Sequence, residues 1–210
     1  IRHAKATSVD LDNQTVTVLD QSKLETRIPY DFLIIASGTS NGFWRDDSLR
    51  SEADIDAPLQ SDARAISEAR SIAIVGGGPC GVSSALNIQR AYPAKSVSLF
   101  ISADLPLPGY HASARQYYHQ ELIKVGVRLF TGHRAITPAP APRAGTIHFE
   151  SGQSAIADTI IWSTGDRKPH TDFLPNELLD DEGFVKTRST LEVRGRENVF
   201  AIGDVASTDP

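Results

Sequence analysis

Residues 75–81 read Val75-Gly76-Gly77-Gly78-Pro79-Cys80-Gly81, and they lie directly between a predicted strand and a predicted helix. Glycine at position 76 lets the chain turn sharply off the strand, because glycine tolerates backbone angles that other residues avoid. Gly78 leaves out a side chain that would block a diphosphate, and Gly81 lets the helix pack closely against the strand. This spacing is that of the dinucleotide-binding fingerprint of a Rossmann unit.

The segments on both sides of the turn predict a βαβ unit. Ser71–Val75 is a short apolar run typical of a buried strand, a helix is predicted from Gly81 to about Ala91, and Pro93 stops it. A second strand is predicted from Ser96 to Ile101. The peptide amides at the helix start would hold phosphates without a basic side chain. An ordinary glycine-rich turn is the alternative.

The end of the second strand leaves the choice of nucleotide open. An acidic residue at this position usually holds the adenosine ribose. Here Ile101 and Ser102 occupy it, followed by Ala103 and Asp104. The chain therefore has neither the acid typical of NADH binding nor an arginine for the 2′-phosphate of NADPH, and a weakened nucleotide site is an alternative.

The rest of the chain predicts a three-layer α/β Rossmann-type fold with an added β-meander. The meander strands are expected near residues 9–11, 15–19 and 24–28. Phe32–Ile35 is a continuous apolar run of the kind that is buried on both faces of a sheet. Residues 42–59 show no sustained period and predict a connection, with a helix following from Ser61 to Arg70.

Beyond the second strand, one more helix and several strands are expected. Ser113 and Gln116 stand at the spacing of a capping box, and the helix that they begin is predicted to end at Gly126. The strands that follow are predicted at residues 127–130, 146–149, 155–157 and 159–162.

Composition excludes several classes of partner. The 210 residues carry a formal net charge of −5 with no basic cluster, which disfavours binding to nucleic acid. No run approaches the roughly 18 apolar residues of a membrane span. The single cysteine, Cys80, allows no internal disulfide or redox dithiol, which favours a reducing, cytoplasmic location. The histidines show no metal-ligand spacing, so no metal is expected.

Three further segments, together with the glycine turn, resemble the pyridine nucleotide-disulfide oxidoreductases, a family of FAD-dependent flavoproteins. Residues 30–38 read Tyr30-Asp31-Phe32-Leu33-Ile34-Ile35-Ala36-Ser37-Gly38 and are similar to the family's strand that ends in Ala-Thr-Gly against the FAD, with Ser37 in place of threonine. Residues 160–165 read Ile160-Ile161-Trp162-Ser163-Thr164-Gly165 and resemble the strand that closes the NAD domain. The resemblance implies that Thr164 and Gly165 lie near the nicotinamide nucleotide.

The third segment lies near the end of the chain. It reads Asn198-Val199-Phe200-Ala201-Ile202-Gly203-Asp204-Val205-Ala206 and is similar to the family's second flavin motif. By this resemblance Gly203 and Asp204 contact the FAD, and the carboxylate accepts a hydrogen bond from the ribityl chain.

The most similar branch is that of type II NADH dehydrogenases and apoptosis-inducing-factor-like proteins. It implies hydride transfer from NAD(P)H to FAD and onward to a quinone-like acceptor, with a homodimer as a further possible assembly. Residues 1–40 and 166–210 would belong to the FAD-binding domain, 41–60 to a connection, and 61–165 to the NAD(P)-binding domain. No side chain is expected to act as a catalytic acid or base, because the cofactors supply the chemistry.

Two departures from the family pattern qualify this expectation. Many members carry glutamate beside the nicotinamide where this chain has Ser83. The family's own FAD fingerprint and its C-terminal interface domain have no counterpart here. The chain is therefore expected to be a fragment that binds NAD(P)H at best and has negligible turnover.

Three alternatives stay open. A non-catalytic dinucleotide-sensing module is favoured by Ile101 and Ser83. A serine hydrolase is suggested by Gly38-Thr39-Ser40-Asn41-Gly42, which matches the nucleophile-elbow pattern with Ser40 as nucleophile, although no helix is predicted after it. Cys80 at a helix start could be a redox-sensitive thiol, or simply a small residue tolerated in a tight turn.

Overall fold

The computed structural model describes residues 1–40, 49–138, 140–165 and 168–208. The chain forms two compact units. The central unit is Glu52–Thr164, and the split unit combines Ile1–Ser51 with Gly165–Pro210.

The helices are α1 (Glu52–Glu68), α2 (Pro79–Ala91) and α3 (Ala112–Lys124), with short 3-10 turns at Asn176–Leu178 and Gly203–Val205. The strands, in chain order, are β1 (Ala4–Asp10), β2 (Thr15–Asp20), β3 (Glu25–Pro29), β4 (Leu33–Ile35), β5 (Thr39–Ser40), β6 (Ser71–Val75), β7 (Ser96–Phe100), β8 (Arg128–Phe130), β9 (Gly145–His148), β10 (Ser154–Ala157), β11 (Thr159–Trp162), β12 (Lys168–Pro169), β13 (Val185–Thr187), β14 (Val199–Ala201) and β15 (Ala206–Thr208).

The central unit is built on a parallel sheet of order β11-β6-β7-β8. Since all four strands run in the same direction, their carboxyl ends lie along one edge. β6 lies between β7 and β11, so the segments that follow these three strands are neighbours at that edge. This is the arrangement in which open α/β sheets bind ligands.

Different layers cover the two faces of this sheet. On one face, Ala73, Val75 and Phe100 pack with Ile147 and Phe149 from the β9–β10 segment. The alternate residues of β6 and β7 point to the opposite face, where α2 packs on both strands and α3 packs on β8. The predicted three-layer Rossmann-type α/β fold is confirmed.

The split unit contains the predicted β-meander, with β1, β2 and β3 pairing antiparallel in that order. Two parallel pairs, β4 with β14 and β13 with β15, bring distant parts of the chain together. The core of the unit is a set of buried aliphatic residues from both of its segments: Val9, Ile35, Leu174, Leu178, Val185, Val193, Val199, Ala201 and Val205.

The helix predicted to begin at Ser61 begins at Glu52 instead, so the prediction of a connection reaching to residue 60 is wrong. This helix, α1, buries none of its residues, and Pro58 lies inside it. Polar contacts hold its later turns: Lys95 donates to the carbonyls of Ser67 and Ala69. The sequence predicted the second half of this helix and missed its beginning, which lies before Pro58. Across the described residues, no helix combines the length and apolar character needed to cross a bilayer.

The capping box predicted at Ser113 and Gln116 is also wrong. The helix begins one residue earlier, and its N-cap is His111, whose ring nitrogen Nδ1 accepts from the Ser113 amide at 3.3 Å. The imidazole takes the role expected of the serine hydroxyl, and Ser113 lies inside the first turn. The predicted end holds, because Gly126 follows the helix with a φ of +95°.

The expectation that Phe32–Ile35 is buried on both faces is wrong. Ile35 is 3% exposed, whereas Phe32 is 71% and Ile34 62% exposed. Leu33 and Ile35 face the core of the split unit. Among the described residues, no layer covers the opposite face of β4. The prediction failed because a run of apolar residues does not itself specify which layers will pack on it.

A carboxylate fastens the turn before β11 to the beginning of β6. Asp158 accepts hydrogen bonds from the backbone amides of Arg70 and Ser71 at 3.0 and 2.8 Å. Its own amide donates to the Ser71 hydroxyl. The hydrogen bonds from Ser71 are the main cause that lowers the pKa of Asp158 from its ordinary value of 3.8.

The Asp158 contact is expected to stabilise the fold only while the carboxyl group is ionised. A folded-state pKa below the unfolded value adds stability above about pH 4, which is lost as the pH falls through the folded-state pKa. We expect Asp158→Asn to unfold at lower urea concentration than the wild type at pH 6, and the difference to shrink towards pH 3. A difference that is the same at both pH values would contradict this role.

Candidate nucleotide-binding site

The carboxyl edge of the central sheet brings together segments that are far apart in sequence. β6 ends at Val75, and the next residue, Gly76, donates its amide to the Phe100 carbonyl of β7 at 2.9 Å. On the other side, the Ser163 amide donates to the Val75 carbonyl at 2.7 Å. The glycine turn is thus held between the ends of β7 and β11.

Two of the glycines are required by close backbone contacts. A Cβ on Gly76 would overlap the Ser163 carbonyl, and the residue has a φ of +126°. A Cβ on Gly81 would overlap the Gly76 carbonyl oxygen and lie 3.0 Å from its carbon. The sequence-based roles of these two positions, a sharp turn and a close helix contact, agree with this geometry.

Gly78 differs because it faces open space. It is the N-cap of α2, its φ is −75°, and an added Cβ would meet nothing within 4 Å. Among the described residues no side chain caps this helix start, and Pro79, which has no amide hydrogen, opens the first turn. The amides of Gly78 and Gly81 belong to this turn, where no carbonyl four residues earlier can accept them.

The other residues predicted for this site differ in accessibility. Ile101 is 1% exposed, and its side chain packs against Gly77. It therefore supports the glycine turn from the interior of the unit. Ser102, the next residue, is exposed and is the side chain available at this strand end. Thr164 and Gly165 follow β11 and are exposed, as is Cys80 in the first turn of α2. Ser83 accepts a hydrogen bond from the Asn87 side chain.

The structure adds a loop that sequence reasoning missed. Leu107 donates its amide to the Gly77 carbonyl at 2.7 Å, and Arg115 of α3 donates to the carbonyls of Leu105 and Pro106. The loop after β7 therefore contacts the glycine turn directly. The sequence contains one indication of this loop. Pro106 and Pro108 lie shortly after β7, and prolines restrict the backbone there.

The residues predicted for the flavin lie together in the split unit. β4 and β14 pair in parallel, and the Ile202 amide donates to the Ile35 carbonyl at 2.9 Å. The segment Ala36-Ser37-Gly38 follows β4, and Gly203-Asp204 follows β14, so both stand at the same sheet edge. Gly38 and Gly203 have φ values of +70° and +76°.

The side chains at this second edge offer polar groups. Asp204 and Ala36 are exposed. The Ser37 hydroxyl is buried and has no hydrogen-bond partner among the described residues. Such a hydroxyl is costly to leave unpaired, so it indicates a place where a bound polar group can donate or accept.

Ser40, the nucleophile of the hydrolase alternative, lies in β5 and pairs antiparallel with Lys168 of β12. A nucleophile elbow instead places its serine on a sharp turn from strand to helix. Asn41 and Gly42 of the pattern lie outside the described residues. Within the described part of the chain, no group of three or more metal-ligating side chains comes together.

Comparison with known proteins identifies the family. A sequence profile described as pyridine nucleotide-disulphide oxidoreductase matches residues 1–210. This chain belongs to that family. The match covers both units, and so includes the glycine turn as well as the edge formed by β4 and β14.

Individual relatives match this chain over most of its length. Oxidoreductase ptaL of Pestalotiopsis fici is 29% identical over 97% of this chain and 55% of its own length. Ferroptosis suppressor protein 1 of Homo sapiens is 27% identical over 98% of this chain and 56% of its own. The chain thus spans a little over half the length of these relatives. A water-forming NADH oxidase of Lactobacillus brevis, solved with NADH bound, superimposes with a TM-score of 0.68 at 23% identity, covering 97% of this chain and 46% of the oxidase.

The contrast between Gly78 and Gly81 can be tested by stability. Gly81→Ala forces a methyl group onto the Gly76 carbonyl, and we expect it to lower the free energy of unfolding by about 2–3 kcal/mol. Gly78→Ala adds the same methyl group in open space at an ordinary φ, and we expect a loss below about 1 kcal/mol. Urea unfolding of both variants measures the difference. Equal losses would contradict the contact geometry.

Proposed function

We propose that this chain is the NAD(P)H-binding and part of the FAD-binding portion of an FAD-dependent oxidoreductase. The observation that carries the proposal is the open space at Gly78, beside the start of α2 and between two strand ends. Membership of an oxidoreductase family supports it, as does the fold shared with an oxidase that binds NADH.

The glycine turn fits a diphosphate by shape and by electrostatics. The first-turn amides of α2 and the positive end of the helix dipole favour an anion, and no side chain at Gly78 fills the space above them. Gly76, Gly77, Pro79, Cys80 and Gly81 complete the turn. Ser102 would contact the adenosine ribose, with Ile101 supporting the turn beneath it, and Thr164 and Gly165 would contact the nicotinamide nucleotide.

The edge formed by β4 and β14 fits part of a flavin nucleotide. The unpaired Ser37 hydroxyl would bond to a polar group of FAD. Ala36, Gly38 and Gly203 bring the backbone close without large side chains. The exposed Asp204 carboxylate would accept a hydrogen bond from a ribityl hydroxyl.

The residues of this chain bind and orient, and they leave the redox chemistry to the cofactors. When both are bound, NAD(P)H supplies a hydride to the flavin, whose electrons pass to an acceptor. We propose a quinone-like acceptor, because the chain resembles the branch of type II NADH dehydrogenases and apoptosis-inducing-factor-like proteins. No side chain described here is assigned an acid or base role.

A dinucleotide-sensing module without hydride transfer is the second candidate. Two observations favour it. The buried Ile101 occupies the position where an acid usually binds the ribose. Ser83 of α2 occupies the position where many family members carry a glutamate beside the nicotinamide. The two candidates differ in whether bound NAD(P)H reduces a flavin. Anaerobic titration of the intact gene product with NADH and NADPH distinguishes them, because flavin reduction bleaches its visible absorbance.

The diphosphate site predicts a loss of nucleotide affinity on filling the space at Gly78. We expect Gly78→Val to weaken binding of NADH and of ADP-ribose by at least about tenfold, since branched carbons would occupy the phosphate position. Isothermal titration calorimetry measures both. Gln120→Val, exposed on α3, is the control and should bind as the wild type does. Unchanged affinity in Gly78→Val would refute the site.

The flavin site predicts that Asp204 helps to retain FAD. We expect Asp204→Ala in the intact gene product to bind FAD at least about tenfold more weakly, because a charge-assisted hydrogen bond is lost. Titration of the flavin-free protein with FAD, followed by the change in flavin fluorescence, measures the dissociation constant. Asp181→Ala, which removes another exposed carboxylate of the split unit, should retain FAD as the wild type does. An unchanged dissociation constant in Asp204→Ala would exclude this contact.

A further inference from the structure

Three successive glycines make the nucleotide turn easy to deform. Gly76, Gly77 and Gly78 have no side chains, so the peptide between Gly77 and Gly78 can rotate with little steric penalty. An amide that samples several directions binds a phosphate less well than one held in place. The proposed diphosphate site, on which this inference rests, therefore requires a contact that fixes this peptide.

The loop after β7 supplies such a contact. The Leu107 amide donates to the Gly77 carbonyl oxygen at 2.7 Å. In a trans peptide the carbonyl and the next N–H point in opposite directions, so this bond keeps the Gly78 N–H directed away from Leu107. The Ile101 side chain limits Gly77 further, since an added Cβ there would lie 3.0 Å from Ile101 Cγ2.

The sequence of the loop determines which residue can make this bond. Leu107 stands between Pro106 and Pro108, and proline has no amide hydrogen. Of these three residues, therefore, Leu107 is the one that can donate. It has a φ of +56°, a conformation uncommon for leucine, while its side chain is 5% exposed. Such a conformation persists where the surroundings hold it.

Arg115 of α3 holds the loop from the other side. Its Nε donates to the Pro106 carbonyl at 3.2 Å, and its Nη2 donates to the Leu105 carbonyl at 3.3 Å. The rigid guanidinium fork matches two successive carbonyls, which a lysine ammonium cannot do in the same way. We propose that Arg115 is a positioning residue for the diphosphate. It holds the loop so that Leu107 fixes the Gly77–Gly78 peptide and directs the Gly78 amide to the ligand.

The test compares variants of Arg115 in the full chain by two measurements. Calorimetry gives the affinities for ADP-ribose and NADH, and hydrogen exchange gives the protection of the Leu107 amide. We expect Arg115→Met to bind both ligands about five- to tenfold more weakly and to exchange the Leu107 amide faster. Arg115→Lys should lie between Arg115→Met and the wild type. Arg134→Gln, an exposed arginine of the same unit, should match the wild type.

The outcomes separate this inference from the proposed function. A wild-type chain that binds neither ligand refutes the proposed function and the inference with it. If the wild type binds and Arg115→Met binds equally well, the inference alone is wrong. A protected Leu107 amide in Arg115→Met also overturns it, because the loop is then held without the arginine. Should Arg115→Met fail to fold, wild-type affinity in Arg115→Lys decides against the proposal.

Discussion

The close contact between Gly81 and the Gly76 carbonyl determines how α2 joins the end of β6. The contact is so short that any side chain at position 81 would have to displace the backbone of the turn. It places the first turn of α2 directly beyond the end of β6. Because β7 and β11 flank β6 in the same sheet, their ends must then border the same space. Because Gly81 has no side chain, the start of α2 can lie beside the ends of β6, β7 and β11.

The binding chemistry that follows from this contact depends on peptide groups. Amides and a helix dipole do not titrate near neutral pH, so their attraction for an anion does not depend on the protonation of a side chain. The described residues of the turn carry no charged side chain between Val75 and Val82. The chain can therefore keep an acidic overall charge of −5 and still offer a place for an anion.

The sequence predicted the parts of the structure that depend on local patterns. Strands β6 and β7, helix α2 and the β-meander follow from apolar period, glycine spacing and polar corners within short windows. The contacts that it missed are non-local. The prolines beside Leu107 indicate a restricted loop but do not show that its amide meets Gly77, and nothing in α1 shows that Lys95 contacts its last turn. Phe32 and Ile34 have the composition of a core, yet their exposure depends on which layer covers β4.

The central unit lies in the sequence between the two segments of the split unit, and this delays the pairing of β4 with β14 during synthesis. β5 and β12 pair where the chain leaves and re-enters the split unit, and β4 pairs with β14, in which Leu33 opposes Val199. A ribosome adds about 5–20 residues per second, so β4 must wait on the order of ten seconds for its partner strand. The whole central unit, Glu52–Thr164, is synthesised during that interval. Until then, Leu33 and Ile35 of β4 lack the part of their core that the later segment supplies through Leu174, Val185 and Val199.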